Sequence, residues 1–242
     1  HMKLFDLYKE HEGRECGKWE HYFELYDRYF QKYIGKEVTI FEIGVCHGGS
    51  LQIWKKYFGD KCKVVGIDID EKTKFSEDQI TVEIGHQCDP EFLQQVIEKH
   101  GNPDIIIDDG SHIQMDVFNS LSFFYKQLND GGVYVIEDTH TAYRSEYMGS
   151  INSPFNIISI LSRQVHDINS EWIQEPYSGI FPDLKSIGFY NSMIFIEKQK
   201  MEKSTPFFAG KKPEQEKKEV AQIQTPNFYD WGTNVDSKFD WK

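Results

Sequence analysis

No apolar run in this chain approaches the roughly 20 residues of a membrane helix, so no membrane association is expected. Basic residues are in short supply, with 27 Lys and Arg against 39 Asp and Glu, a net charge of −12. A nucleic-acid binder carries a basic footprint, so no nucleic acid is expected among its partners. Cysteine is scarce too: Cys16, Cys46, Cys62 and Cys88 lie far apart with no Cys-x-x-Cys pair. That pattern reads as reduced thiols and not as a zinc site. The opening His1-Met2-Lys3 lacks a basic-then-apolar leader and looks like a tag-cleavage scar, so a cytoplasmic location is expected. Disorder is excluded by what is present, 39% hydrophobic and 15% aromatic residues. A length of 242 residues suits one large domain with insertions.

Between Val38 and Gly132 short β-rich runs alternate with helical stretches. Val38 to Ile43 reads as a buried strand ending in Gly44, and Ser50 as the cap of a helix carrying Leu51, Ile53, Trp54, Tyr57 and Phe58. Lys63 to Asp68 and Ile80 to Ile84 are the next strands. Asp89 and Pro90 then supply an N-cap and an N1 proline, and His100-Gly101 closes that helix. Ile105 to Ile107 is a fourth strand, followed by a helix with Val117, Leu121, Phe124 and Leu128. Asn129 to Gly132 ends it and leads into a fifth strand, Val133 to Ile136. Leu184 to Tyr190 and Met193 to Glu197 read as two closing strands. The expected class is α/β, a Rossmann-like doubly wound, mostly parallel seven-stranded sheet with its last strand antiparallel.

Three spans follow from this reading. Residues 1–36 form an aromatic helical segment, in which Trp19, Tyr22, Phe23, Tyr26, Tyr29, Phe30 and Tyr33 recur at helical spacing and are expected to pack on the sheet or a neighbour. Residues 37–200 form the α/β domain. It contains an insert at 140–182, with its own helix from Ser153-Pro154 to about His166, placed beside the ligand crevice. Residues 201–242 form a charged tail. Its aromatics Phe207, Phe208, Phe228, Tyr229, Trp231, Phe239 and Trp241 predict docking on the core or on a neighbouring subunit of a homo-oligomer.

The chemistry-bearing motifs fall at strand ends. Glu42-Ile43-Gly44-Val45-Cys46-His47-Gly48-Gly49-Ser50 is a glycine-rich turn from strand to helix, and Gly44, Gly48 and Gly49 let backbone approach a ligand closely. Cys46 stands where the second glycine of GxGxxG belongs, which disfavours the pyrophosphate grip of a nicotinamide-dependent dehydrogenase. S-adenosylmethionine has no phosphate and needs only a looser loop. Asp68 ends the second strand, where a carboxylate accepts hydrogen bonds from both hydroxyls of a ribose. The competing reading is a solvated strand-end residue, since Asp70 and Glu71 follow. Asp108-Asp109-Gly110-Ser111-His112 and Glu137-Asp138-Thr139-His140 end the fourth and fifth strands. Adjacent parallel strands lie about 4.8 Å apart, so these acids converge and repel unless a cation sits among them. Oxygen donors in this number suit Mg²⁺, and the two histidines leave room for Mn²⁺. Some of the acids, Asp108 first, have the alternative of capping a following helix.

These residues resemble a known family. Phe41 to Val45 with Gly48-Gly49-Ser50, Ile107 to His112, and Gly131 to Asp138 are similar to the metal-dependent macrolide-sugar O-methyltransferases of the mycinamicin and macrocin type, and to the cephalosporin-hydroxylase-like group. Gly188 to Ser192 with Ile196 to Lys198 resembles that family's last strands, and Gly17-Lys18-Trp19 with His21, Tyr22 and Tyr26 its upstream aromatic helix. The resemblance implies metal ligation by Asp109, Glu137 and Asp138, and His112 as the base beside Asp109, with His140 as the alternative. It implies a cofactor site lined by Glu42, Gly44, Gly48, Ser50, Asp68, Gln87, Asp89 and Asp108. Cys46-His47 and Gly85-His86 depart from the family pattern on the cofactor side. The function so implied is O-methyl transfer from S-adenosylmethionine to a sugar hydroxyl, on a nucleotide-linked, polysaccharide or natural-product sugar. An aromatic or other small-molecule diol is the alternative acceptor.

Overall fold

The computed structural model describes residues 2–210. The chain divides into a unit of residues 1–203 and a second of 204–242. The described part of the second unit, 204–210, holds no helix or strand, and Phe207 and Phe208 in it are exposed. The other tail aromatics, Phe228 to Trp241, lie outside the described residues.

The first unit opens with helices α1 (Leu4–Lys9) and α2 (Tyr22–Phe30), the latter ending in a 3-10 turn, Gln31–Tyr33. Strand β1 (Val38–Ile43), helix α3 (Gly49–Phe58) and strand β2 (Cys62–Asp68) follow, then β3 (Ser76–Glu77), β4 (Ile80–Ile84) and α4 (Pro90–His100). Next come β5 (Ile105–Asp108), α5 (Gln114–Gln127) and β6 (Val133–Ile136). The insert holds α6 (Ile157–Ser162) and α7 (Val165–Ile168), and β7 (Leu184–Tyr190) and β8 (Met193–Lys198) close the unit.

The strands form one sheet in the order β3-β4-β2-β1-β5-β6-β8-β7. Strands β4, β2, β1, β5 and β6 run parallel, and β8 runs antiparallel between β6 and β7. Alternate side chains feed two cores. Ile40, Val64, Ile105, Val133 and Phe195 point to the face covered by α1, α2 and α3, with Tyr26, Phe30 and Trp54 filling it. Phe41, Val65, Ile106, Tyr134 and Ile194 point to the face covered by α4, α5 and α6. Burial on both faces is why these strands read as near-continuous apolar runs.

The structure corrects three expectations. The sheet has eight strands and not seven, because the exposed pair Ser76–Glu77 adds an antiparallel edge to β4. Two solvated residues carry no hydrophobic alternation to announce them. Ser50 is not a cap: α3 begins at Gly49 behind a left-handed Gly48, and Ser50 Oγ instead donates to Glu42 Oε2 at 2.7 Å. The single helix expected from residue 153 to about 166 is two short ones. Asn156 caps the first by accepting the Ser159 N–H, and at its end Gln164 N–H turns to Leu161 O, which breaks the α-helical ladder. Asp89 and Pro90 do start α4 and Gly101 ends it as expected. Among the described residues no helix is long and apolar enough to cross a membrane.

Candidate active site

The direction of the crossovers reverses between β1 and β5, and their carboxyl ends open the crevice that a doubly wound sheet uses for ligands. Gly44, just past β1, has φ 89°, and a Cβ there would lie 2.0 Å from the carbonyl oxygen of Asp109. Only glycine lets the β1 and β5 loops meet this closely. On one side of Gly44 lies a cavity of about 280 Å³, lined by Asp68, Gly85, Gln87, Ser111 and Asp116 among others. On the other lies one of about 380 Å³, lined by Cys16, Lys18, His47, Ser50 and Asp109 among others.

Asp68 secures the glycine loop from below. Its Oδ2 accepts the N–H of Val45 at 2.8 Å and of Cys46 at 3.3 Å, and its Oδ1 that of Asp70 at 2.9 Å. Gln87 lines the first cavity with its Oε1 on the Ser111 N–H and its Nε2 on Ser120 Oγ, each at 2.8 Å. Asp108 sits behind that cavity and not in its wall. It is buried, accepts the Tyr134 hydroxyl at 2.9 Å, and caps nothing. Burial lifts its carboxyl to about 7. Asp89 spends its side chain capping α4 and lines neither cavity.

The acids gather as two groups that share Asp109. In the inner group, the Lys18 ammonium lies 2.6 Å from Asp109 Oδ2, 2.6 Å from Glu137 Oε1 and 3.3 Å from Glu42 Oε1. The Tyr26 hydroxyl also donates to Glu137. All four of Lys18, Glu42, Glu137 and Tyr26 are buried. Burial alone would lower the Lys18 pKa, but the charges of Asp109, Glu137 and Glu42 carry it well above its ordinary value. Burial, then the charge of Asp109, raises the Glu137 carboxyl.

In the outer group, His112 Nε2 stands 3.8 Å from Asp109 Oδ1 and 3.8 Å from Asp138 Oδ2. Asp138 gives its other oxygen to Tyr22 Oη at 2.7 Å and Trp19 Nε1 at 3.1 Å. His112 and Asp138 have left-handed backbones, φ 59° and 51°, a strain that tends to cluster at functional sites. His140 lies at the rim, with Nδ1 2.5 Å from Ser192 Oγ and 4.0 Å from Asp138 Oδ1. Ligand atoms 2.0–2.1 Å from an octahedral Mg²⁺ lie about 3 Å apart when adjacent and about 4 Å when opposite. The donor atoms of Asp109, His112 and Asp138 all fall within 4.8 Å of one another, a little wider than that span, so small side-chain movements would let the group hold a divalent ion.

Of the ligand trio expected from the sequence, Asp109 lies in both groups, Glu137 in the inner one and Asp138 in the outer one. Glu137 groups with Glu42 and Asp109, and His112 lies beside Asp109 and Asp138. The reading of the aromatic helix as packing alone missed Lys18, Trp19, Tyr22 and Tyr26. A usable signal was present: tyrosine recurs where phenylalanine would pack as well, and a buried hydroxyl needs a partner.

Sheet order, glycine loop and paired cavities define the class I methyltransferase fold. The profile of the rhamnosyl O-methyltransferase/CmcI family matches residues 33–156, and the chain belongs to that family. The demethylmacrocin O-methyltransferase of Streptomyces fradiae is 35% identical over 188 residues, covering 72% of this chain and 47% of that protein. A tetracenomycin-C rhamnosyl 3'-O-methyltransferase of Streptomyces olivaceus is 32% identical over 218 residues, covering 84% and 56%. The MycE methyltransferase of mycinamycin biosynthesis, solved with Mg, SAH and mycinamycin VI, superposes with a TM-score of 0.74 at 29% identity, over 82% of this chain and 54% of that one. The chain spans about half the length of the curated relatives it matches.

Proposed function

We propose that this chain is an S-adenosylmethionine-dependent, divalent-metal-assisted O-methyltransferase acting on a sugar hydroxyl. The observation that carries the reading is the meeting of two cavities at Gly44, one of them lined by Asp109 of the outer acidic group. Its relatives support the acceptor class, since one is named for O-methylating a rhamnosyl tetracenomycin and another for O-methylating demethylmacrocin. MycE, which shares the fold, is solved with Mg and SAH.

The cavity at Asp68 and Gln87 takes the adenosine, with Asp68 offering its carboxylate to the ribose. The cavity under Glu15 to Lys18 takes the methionine end. Asp109 and Asp138 hold Mg²⁺ or Mn²⁺. When bound, the cofactor supplies an electrophilic methyl, and the ion lowers the pKa of an acceptor hydroxyl. His112 Nε2 faces the same space and takes the acceptor's proton, a task for which imidazole is well matched near neutral pH. His140, tied to Ser192 and farther from Asp109, is the second choice for base.

The test is transfer of labelled methyl from S-adenosylmethionine to a panel of free, nucleotide-linked and scaffold-linked sugars, run beside a catechol panel. Label on sugars is expected, and label confined to catechols would move the acceptor to aromatic diols. Stabilisation by NAD with none by S-adenosylhomocysteine would sink the methyltransferase reading altogether.

A further inference from the structure

Two aromatic rings end the row of polar side chains formed by His112, Asp138 and His140, and the proposed chemistry uses neither. Trp19 donates its Nε1–H to Asp138 at 3.1 Å and sets its ring perpendicular to that of His140, centroids 6.4 Å apart. It is nevertheless 58% exposed. Tyr147 stands against His112, with ring centroids 6.1 Å apart and planes at 73°. Both rings are placed by the fold. Tyr147 closes a 3-10 turn, Ser145–Tyr147, and the Gly149 N–H that follows returns to Arg144 O at 2.8 Å. A Cβ on Gly149 would lie 2.5 Å from the carbonyl oxygens of Thr141 and Ala142, so only glycine lets this turn fold back so tightly. Scattered exposed apolar residues are ordinary on a protein surface. An indole anchored by its N–H and left uncovered next to polar groups is instead arranged as a binding surface is, with apolar area set beside a few oriented polar atoms.

We propose that Trp19 and Tyr147 are the walls of the acceptor slot, with Trp19 the platform on which the sugar ring packs. A pyranose is amphipathic, carrying C–H groups on its faces and hydroxyls round its rim. An aromatic face takes the C–H groups out of water, and polar groups at the edge of that face take the hydroxyls. The two rings supply the first, and the histidines between them supply the second. Lys18, next to Trp19 in the chain, lines the second cavity, so the slot adjoins the end from which the methyl would come. Packing of this kind holds the acceptor equally before and during transfer, so it governs KM and leaves the chemical step largely alone. The inference rests on the sugar-acceptor reading of the proposed function, and the experiment separates the two.

The probe is methyl α-L-rhamnoside, since a matched relative is named for a rhamnosyl acceptor, or, where that takes no label, the panel sugar that takes most. Methyl transfer to it is followed at varied acceptor concentration in the full chain and its variants. Trp19→Ala and Tyr147→Ala should each raise KM by about tenfold or more, with kcat changed by less than about threefold. Trp19→Phe and Tyr147→Phe, which keep a ring, should recover most of that affinity. Melting temperature and affinity for S-adenosylhomocysteine, measured beside them, should stay near wild type in all four. An unchanged KM in either Ala variant would overturn the slot and leave the sugar reading intact. So would a raised KM accompanied by an equal loss of S-adenosylhomocysteine affinity, which is the mark of a general structural role. No label on any sugar with the wild type would remove the sugar reading and the slot with it. Should an Ala variant fail to fold, the wild type crystallised with S-adenosylhomocysteine and the same sugar decides the matter. The sugar ring packed on the Trp19 indole is expected, and a sugar touching neither ring would refute the slot.

Discussion

The inner and outer acidic groups use the same residue type at the same sheet edge, yet they are suited to different work. Glu42 and Glu137 are covered by the aromatic segment and have their partners within the protein. Asp138 and His112 keep side-chain exposures of 25% and 19%, enough to meet a ligand. A carboxylate at a strand end is thus not a site by itself. It is neutralised within the protein where the chain roofs it with a cation, and stays open to a ligand where an oxygen is left facing open space. Asp109 does both, with one oxygen on each side.

The comparison yields four expectations, and the largest effect should come from removing the metal. Excess chelator followed by dialysis should cut turnover to below about a hundredth, and Mg²⁺ or Mn²⁺ should restore it. Full turnover in chelator would mean the outer group is no metal site. His112→Ala should then lower kcat by about 10²–10⁴-fold with cofactor affinity nearly unchanged. If His140→Ala shows that loss and His112→Ala does not, the base lies at the rim and not between the two aspartates.

The inner group should answer in stability. Tyr26→Phe removes a donor from buried Glu137 and should cost about 1–3 kcal/mol in chemical denaturation, with kcat held within about threefold. A hundredfold loss of kcat at unchanged stability would erase the distinction between the groups. Trp19→Phe should do least. It deletes one hydrogen bond to Asp138 from a half-exposed indole, so Mn²⁺ affinity should fall by about threefold or less. A loss of a hundredfold there would make Trp19 part of the metal site's support.

Much of this was legible in the sequence for local reasons. β1, β2, β5 and β6 announce themselves as apolar runs because both faces are buried, and Asp89-Pro90 and Gly101 mark the ends of α4 because capping is a matter of neighbouring backbone groups. The strand-end acids could be found because a parallel sheet delivers successive strand ends to one edge. The edge strand β3 and the broken insert helix were not legible, since solvated residues and a backbone N–H that turns to the carbonyl three residues back leave no periodic trace.

What the sequence alone determined is the α/β alternation, the glycine loop without a pyrophosphate grip, and the gathering of Asp109, Glu137 and Asp138 at one sheet edge. Only the tertiary structure decided how those acids divide. Lys18 is 91 residues from Asp109 and Tyr26 is 111 from Glu137. Which carboxylate each one meets depends on how α2 packs across the sheet, and no local pattern encodes that contact. Charge pairing in a buried site is set by position in space, so the partition between a filled group and an open one appears only once the chain has folded.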